Sequence, residues 1–258
     1  MSRLGRFLEF SVHAPNILES LEFYKTLGFA EREIGDVWPH KYAVVSDGVL
    51  CIGLHDREFE SPAITFVQQD LASRARKMND HGFEFSLMRL DDDVFNELGL
   101  SDHDGHRIKM LEARTFSGGD EFDDDSTCGT WFELSLPTQD VLRAARFWAA
   151  VSPTVLRVRE EPTTHMRFDA GGFALGLSES IALDSPSLCF RCHDKGALLA
   201  VIEKHALEHE NFPGYEGAFV AIRAPEGTTL FAFSEDFLGE GYEVDETDDR
   251  SDLPQKAG

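Results

Sequence analysis

Alternation of apolar and polar positions opens the chain. Leu8, Phe10 and Val12 fall on one side of an extended segment, while Phe7, Glu9, Ser11 and His13 fall on the other. The alternation returns later, with Phe132, Leu134 and Leu136 opposed to Glu133 and Ser135. Each segment is predicted to be a strand with one apolar face and one face that carries a carboxylate. A helical period follows both. Ile17, Leu21 and Tyr24 recur at i, i+4, i+7, and so do Val141, Ala145 and Trp148, so each helix buries a stripe against its own strand. Asn16 and Asp140 stand at the N-cap positions, and Glu19 three residues after Asn16 predicts a capping box.

The two stretches belong to a longer repeat. An offset of 124 residues takes Glu9 to Glu133, Asn16 to Asp140, Phe23 to Phe147, Ser61-Pro62 to Ser185-Pro186, Phe66 to Phe190 and Asp70 to Asp194. A duplicated domain accounts for this register better than coincidence. After the first helix, Gly28 supplies a stop, and strands are predicted at 41–45 and 49–54 around the tight turn Ser46-Asp-Gly48. Their counterparts are Met166 to Phe168 and Phe173 to Leu177. A strand from Ala63 and a helix over about 70–80 follow, matched by a strand at 188–191 and a helix over about 194–208. Strands at 107–112 and 229–233, each after a polar turn, close the halves.

Residues 1–116 and 129–238 are therefore read as two modules. Residues 117–128 are too acidic and glycine-rich to pack and read as a linker, and the acidic tail, 239–258, reads as disordered. In 258 residues, 42% hydrophobic content with 21 Phe is ample material for cores. The formal charge of −23 argues against nucleic acid or an anionic membrane as partner, and no run approaches the roughly 20 apolar residues of a membrane span. A cytoplasmic protein is expected. Four cysteines are too few for a disulfide framework at this length. Cys189-Phe-Arg-Cys192-His193 matches a haem attachment pattern, but it sits in a strand-like run whose counterpart, from Thr65, has no Cys.

The order strand, helix, hairpin, strand, helix, strand, with Ser20-Leu-Glu-Phe-Tyr-Lys-Thr-Leu-Gly-Phe29 near its start and Asp104-Gly-His-Arg-Ile108 near its end, resembles the vicinal oxygen chelate superfamily of glyoxalases, bleomycin-resistance proteins and extradiol dioxygenases. The resemblance covers about residues 5–114 and, more weakly, 129–238. It implies an α+β fold of two tandem βαβββ modules, each a curled mixed sheet with helices on the convex face and a concave ligand cleft. Glu9 and Glu133 would then face the clefts.

The family's metal sites draw ligands from the first, middle and last strands of a module. Carried over by position, the first-strand places are Glu9 and Glu133, the middle-strand places Ala63 and Ser187, and the last-strand places Lys109 and Phe231. A cation and an aromatic ring stand where two carboxylates are usual. Lys109 is expected across the same face as Glu9, as its ion-pair partner. His13 shares that face and could complete a ligand set with Glu9 and Glu133 for Zn, Ni, Mn or Fe. His40, His55, His106 and His165 lie in or beside predicted strands. The lost ligands favour no metal at the usual four-ligand site.

Phe7, Trp38, Trp131, Phe231 and Phe233 supply aromatic surface for an apolar small molecule, or for packing between the modules. Three functions remain open at this point. One is a glyoxalase- or bleomycin-resistance-like protein that binds a small molecule beside Glu9, Glu133, Phe7, His13, Trp38, Trp131 and Phe231. Another is a divalent-metal-dependent lyase, isomerase or dioxygenase using Glu9 and Glu133 with one or two of the histidines. The third is a metal-free enzyme in which Glu9 or Glu133 is a general base and Lys109 its electrostatic partner. A monomer or a homodimer is expected, with a small-molecule ligand as partner.

Overall fold

The computed structural model describes residues 2–33, 40–91, 96–113, 126–152, 154–159, 164–180, 182–210, 212, 215 and 217–238. Trp38, most of the 117–128 segment and the 239–258 tail lie outside the described residues. Residues 126–128 do not behave as free linker: Ser126 and Cys128 are buried, and the Thr127 backbone N–H donates to the Leu27 carbonyl at 2.8 Å.

The first module runs β1 (Arg6–His13), α1 (Ile17–Thr26), β2 (Ala30–Arg32), β3 (Tyr42–Ser46), β4 (Cys51–His55), β5 (Ala63–Gln68), α2 (Leu71–Asp80), β6 (Leu87–Arg89), β7 (Glu97–Ser101) and β8 (Arg107–Glu112). Its strands form one eight-stranded sheet in the order β2-β3-β4-β1-β5-β8-β7-β6. The second runs β9 (Thr130–Pro137), α3 (Val141–Val151), β10 (Thr154–Arg159), β11 (His165–Asp169), β12 (Ala174–Ser178), β13 (Ser187–Cys192), α4 (Lys195–His205), β14 (His209–Glu210), β15 (Phe219–Arg223) and β16 (Thr229–Ser234). Its order, β10-β11-β12-β9-β13-β16-β15-β14, is the same. A short helix, α5 (Glu235–Leu238), packs back on β13 and β16.

This corrects the count of units. One βαβββ motif is half a sheet, not a whole module: β1 to β4 with α1 make one unit and β5 to β8 with α2 the next. The strands β2, β6, β7, β10, β14 and β15 were not predicted. The first two are three residues long and β14 only two. Within each unit the first and last strands pair in parallel (β1 with β4, β5 with β8), and the two units meet through antiparallel β1 and β5. The helices form where the period placed them. Asp140 caps α3 by accepting from the Arg143 N–H at 2.9 Å. The capping box at α1 does not form: the Asn16 side chain accepts no backbone hydrogen bond and instead donates from Nδ2 to Glu19 at 2.9 Å.

The strict alternation of the first strands is also broken, by a β-bulge in each. The β1–β5 register slips between Phe7 and Glu9. The β9–β13 register slips where Phe190 faces Trp131 and Cys189 faces Glu133. A bulge moves the residues before it to the other face. Phe7 and Trp131 therefore join the core under the helices, stacked on Phe173 with centroids 4.1 and 6.3 Å away, and not the cleft. Phe132, which alternation set opposite Glu133, instead shares its face, away from the helices.

The modules share a continuous apolar core, fastened by two crossed hydrogen bonds. Tyr24 on α1 donates to Glu226 Oε1, in the turn before β16, at 2.6 Å. Trp148 on α3 donates from Nε1 to Asp102 Oδ2, in the turn before β8, at 3.0 Å. The 124-residue offset converts Tyr24 into Trp148 and Asp102 into Glu226, so one contact repeats as the other with donor and acceptor modules exchanged. Burial and the Glu226 charge push the Tyr24 hydroxyl well above its ordinary pKa, which keeps it a donor. Removing that hydroxyl leaves a Glu226 oxygen without its partner. Tyr24→Phe is expected to lower the unfolding free energy by about 1–3 kcal/mol, and a urea midpoint equal to that of the parent protein would refute the clasp as a stabilising contact.

Candidate functional site

On the face away from the helices, each sheet carries a row of residues across its three central strands. In the first module it is Glu9, Thr65, Lys109; in the second it is Glu133, Cys189, Phe231. The strand register thus sets Thr65 and Cys189, not Ala63 and Ser187, beside the carboxylates.

Glu9 is 2% exposed, and a buried carboxylate persists only where donors converge on it. Ser11 Oγ donates to Oε1 at 2.6 Å, His55 Nε2 meets the same oxygen at 3.0 Å, and the Tyr42 hydroxyl donates to Oε2. Because the Ser11 proton goes to Glu9, Thr65 Oγ1, 2.6 Å from Ser11 Oγ, is the donor in that pair. His55 Nδ1 lies 2.9 Å from His40 Nε2, which extends the array to a partly exposed residue. Burial pushes the Glu9 carboxyl up, but the hydrogen bond and charge of His55, with Ser11 and Tyr42, outweigh it and hold the group below its ordinary value.

Two expectations for this module change. Lys109 does not pair with Glu9; its Nζ sits 3.3 Å from Glu97 on the neighbouring strand and 5.1 Å over the Phe59 ring. The imidazole that reaches Glu9 is His55, from the parallel strand β4, not His13. The His13 backbone N–H donates to Ser61 Oγ, and its ring makes no hydrogen bond to Glu9.

Glu133 repeats the arrangement with different partners. Ser135 Oγ donates to Oε1 at 2.6 Å, and His165 Nε2 lies 3.0 Å from the same oxygen. The histidine now comes from β11, the place of Tyr42, while Ser178 on β12 occupies the place of His55. Oε2 is buried and accepts no hydrogen bond. The nearest cationic nitrogen, Arg167 Nε, is 3.8 Å away, close enough for an ion pair and too far for a hydrogen bond, and it too lacks a hydrogen-bond partner. Arg167 spends an Nη2 proton on the Phe132 carbonyl. Burial again raises the Glu133 carboxyl, and the charge and hydrogen bond of His165, with Ser135 and Arg167, hold it below its ordinary value.

Glu133 borders a cavity of about 70 Å³, room for several waters or the polar end of a small ligand. Its apolar walls are Phe132, Tyr215, Phe219, Phe231, Phe233 and Phe237. Phe231 is thus one wall of the cavity. Gly53 and Gly176, one on each strand beside the glutamate, make room for the carboxylates. A Cβ at Gly53 would come within 2.3 Å of the Glu9 carboxyl carbon, and one at Gly176 within 2.5 Å of Glu133 Oε1.

The donor sets do not suit a divalent ion in the usual way. Among the described residues no three His, Cys, Asp or Glu side chains converge as a ligand group. Both Glu9 oxygens already accept hydrogen bonds. Burial, and the charge of Glu133, push the Cys189 thiol well above its ordinary pKa, so it is not a thiolate ligand. Cys189 and Cys192 also belong to different clusters on opposite sides of β13, which separates the two sulfurs of the haem-like pattern.

Two outcomes test the cradles. With folded-state pKa values below the ordinary 4.5, Glu9 and Glu133 stabilise the fold fully above that value, and the contribution fades as pH falls through the folded pKa. Glu9→Gln should therefore be less stable at neutral pH and lose less stability on acidification below about pH 4.5; parallel curves of urea midpoint against pH would contradict this. Gly53→Ala should cost about 1–3 kcal/mol or more by displacing the carboxylate, read by thermal unfolding.

No family model matches the sequence, and no curated protein matches it in sequence. Solved structures do match it in fold. A catechol 2,3-dioxygenase superposes with a TM-score of 0.57 at 14% identity over 90% of this chain and 87% of its own. An extradiol ring-cleaving dioxygenase from B. fuscum gives 0.61 at 15% identity over 96% and 75%. The 2,2',3-trihydroxybiphenyl 1,2-dioxygenase of Sphingomonas wittichii gives 0.54 at 14% over 91% and 90%. At this identity the likeness is one of fold, and it agrees with the resemblance carried by the sequence motifs: the chain has the fold of the extradiol ring-cleaving dioxygenases.

Proposed function

We propose that the chain binds a small molecule in the cleft of its second module, with Glu133 as the polar anchor and without a metal ion at the four-ligand position usual for this fold. One contrast carries the reading. Glu9 has hydrogen bonds on both oxygens, whereas Glu133 Oε2 and Arg167 Nε are buried without any, 3.8 Å apart, next to an aromatic cavity. A buried polar atom without a partner costs roughly 1–3 kcal/mol, and a ligand that supplies the partner recovers it.

A hydroxyl suits Glu133 Oε2, which belongs to the member of the pair that borders the cavity, and the hydroxyl proton would go there. Phe132, Phe219, Phe231 and Phe233 would take the apolar body of the ligand, so a hydroxylated aromatic compound is the class proposed. Catechol 2,3-dioxygenase is named for an aromatic diol, which agrees with that choice of ligand. At 14% identity the likeness carries the fold to this chain and not the activity. The reading stays close to the binding, bleomycin-resistance-like branch of the fold, with an altered metal site.

Phenol is a sufficient probe. It should raise the thermal midpoint saturably, and Glu133→Gln should weaken it about tenfold while Glu9→Gln leaves the affinity unchanged. Metal analysis of protein purified without chelator is expected to find no stoichiometric divalent ion. A stoichiometric ion lost on Glu133→Gln would overturn the proposal in favour of a metal-dependent lyase, isomerase or dioxygenase.

A further inference from the structure

A second concavity adjoins the Glu133 cavity, with Ser180 and Leu183 as shared walls. Residues 60–62 and 104–107 of the first module and 137–139, 179–180 and 183–186 of the second enclose a groove of about 940 Å³. That is the size of a small-molecule site. His106 stands in its wall and is only 8% exposed.

The ring of His106 is held in one tautomer from behind. Its Nδ1 lies 2.7 Å from Asp102 Oδ2, which also accepts the Trp148 Nε1–H at 3.0 Å, while Asp102 Oδ1 accepts the His106 backbone N–H at 2.9 Å. Burial pushes the Asp102 carboxyl up, but the hydrogen bonds and charge of His106, with Trp148, hold it below its ordinary value. A carboxylate can only accept, so Nδ1 carries a proton, and in the neutral form of the ring the lone pair is on Nε2. With Nδ1 turned inward, Nε2 is the nitrogen on the groove side, and no described residue donates to it.

The charge around that lone pair is one-sided. Glu60, Asp104, Glu179 and Asp184 line the groove against one guanidinium, Arg107, which is taken up by Glu60 at 2.8 Å and Ser101 at 2.7 Å. Asp104 accepts from Thr138 through Oδ2, and Glu179 from the Val141 N–H through Oε1. The second oxygens of Glu60, Asp104 and Glu179 have no hydrogen bond among the described residues. A walled groove of one sign concentrates counter-ions. A divalent metal is the wrong counter-ion here, since no three ligating side chains converge among the described residues. A ligand that brings both positive charge and an N–H donor satisfies the carboxylates and the imidazole lone pair together.

We propose that the groove between the modules is a binding site for a small organic cation with N–H donors, an alkylammonium or a guanidinium, which donates to His106 Nε2 while Glu60, Asp104 and Glu179 balance its charge. The site shares the Ser180 and Leu183 walls with the Glu133 cavity but not Glu133 or His165, and its test reads His106 and Glu179, which do not line that cavity.

Butylammonium, tetramethylammonium and butyrate, titrated at low salt and pH near 8, separate the contributions by calorimetry and by the imidazole NMR signals of His106. Butylammonium should bind saturably and shift the His106 signals, tetramethylammonium should bind at least tenfold more weakly for want of an N–H, and butyrate should not bind. His106→Leu should abolish the preference for butylammonium. Because that variant also leaves Asp102 without its partner, Glu179→Gln, whose amide oxygen can still accept from Val141, provides an independent reading and should weaken butylammonium several-fold. No saturable binding of butylammonium, equal binding of tetramethylammonium or butyrate, or an unshifted His106 would each overturn the proposal.

Discussion

A carboxylate placed on the central strand of a sheet and covered on all sides is the constraint to which both modules answer. Desolvation alone would make such a group untenable as an anion. In each module the cost is met by a serine two residues along the same strand, a histidine from the flanking hairpin and a glycine that leaves the volume empty. Position-specific choices in several strands therefore serve a single group on each first strand. The second module answers the constraint less completely, and its proposed role follows from that deficit.

Much of the fold was legible in order of sequence. Periods of two and near four, the N-cap Asp140, and the 124-residue register that pairs Asp70 with Asp194 located all four long helices and most central strands, because these features are local or recur. What escaped was either short or set by the sheet. The edge strand β2, three residues long, carries no readable period. The bulge at Leu8 and Phe132 exists only in relation to a neighbouring strand, so alternation placed Phe7 and Trp131 on the wrong face.

The site was legible only at its anchors. Glu9 and Glu133 stand out as carboxylates inside apolar strands, yet their partners Tyr42, His55, His165 and Arg167 are 32 to 46 residues away along the chain. No spacing rule links them, since strand pairing decides which side chains converge. The histidine has also moved from β4 in one module to β11 in the other, so even the repeat could not transfer it. Gly53 and Gly176 were read as ordinary strand residues; their signal is the absence of a side chain where a neighbour's carboxyl needs room.

Asp102 has two obligations at once. The oxygen that receives the indole of Trp148 from the other module is the oxygen that fixes the His106 ring. Association of the halves and the polarity of an imidazole in the groove are thus written on one atom. If the halves were to part, the indole would leave, the carboxylate would hydrate, and the preference of that ring for one tautomer would weaken. The groove is chemically defined only while the two halves of the chain are in register with each other.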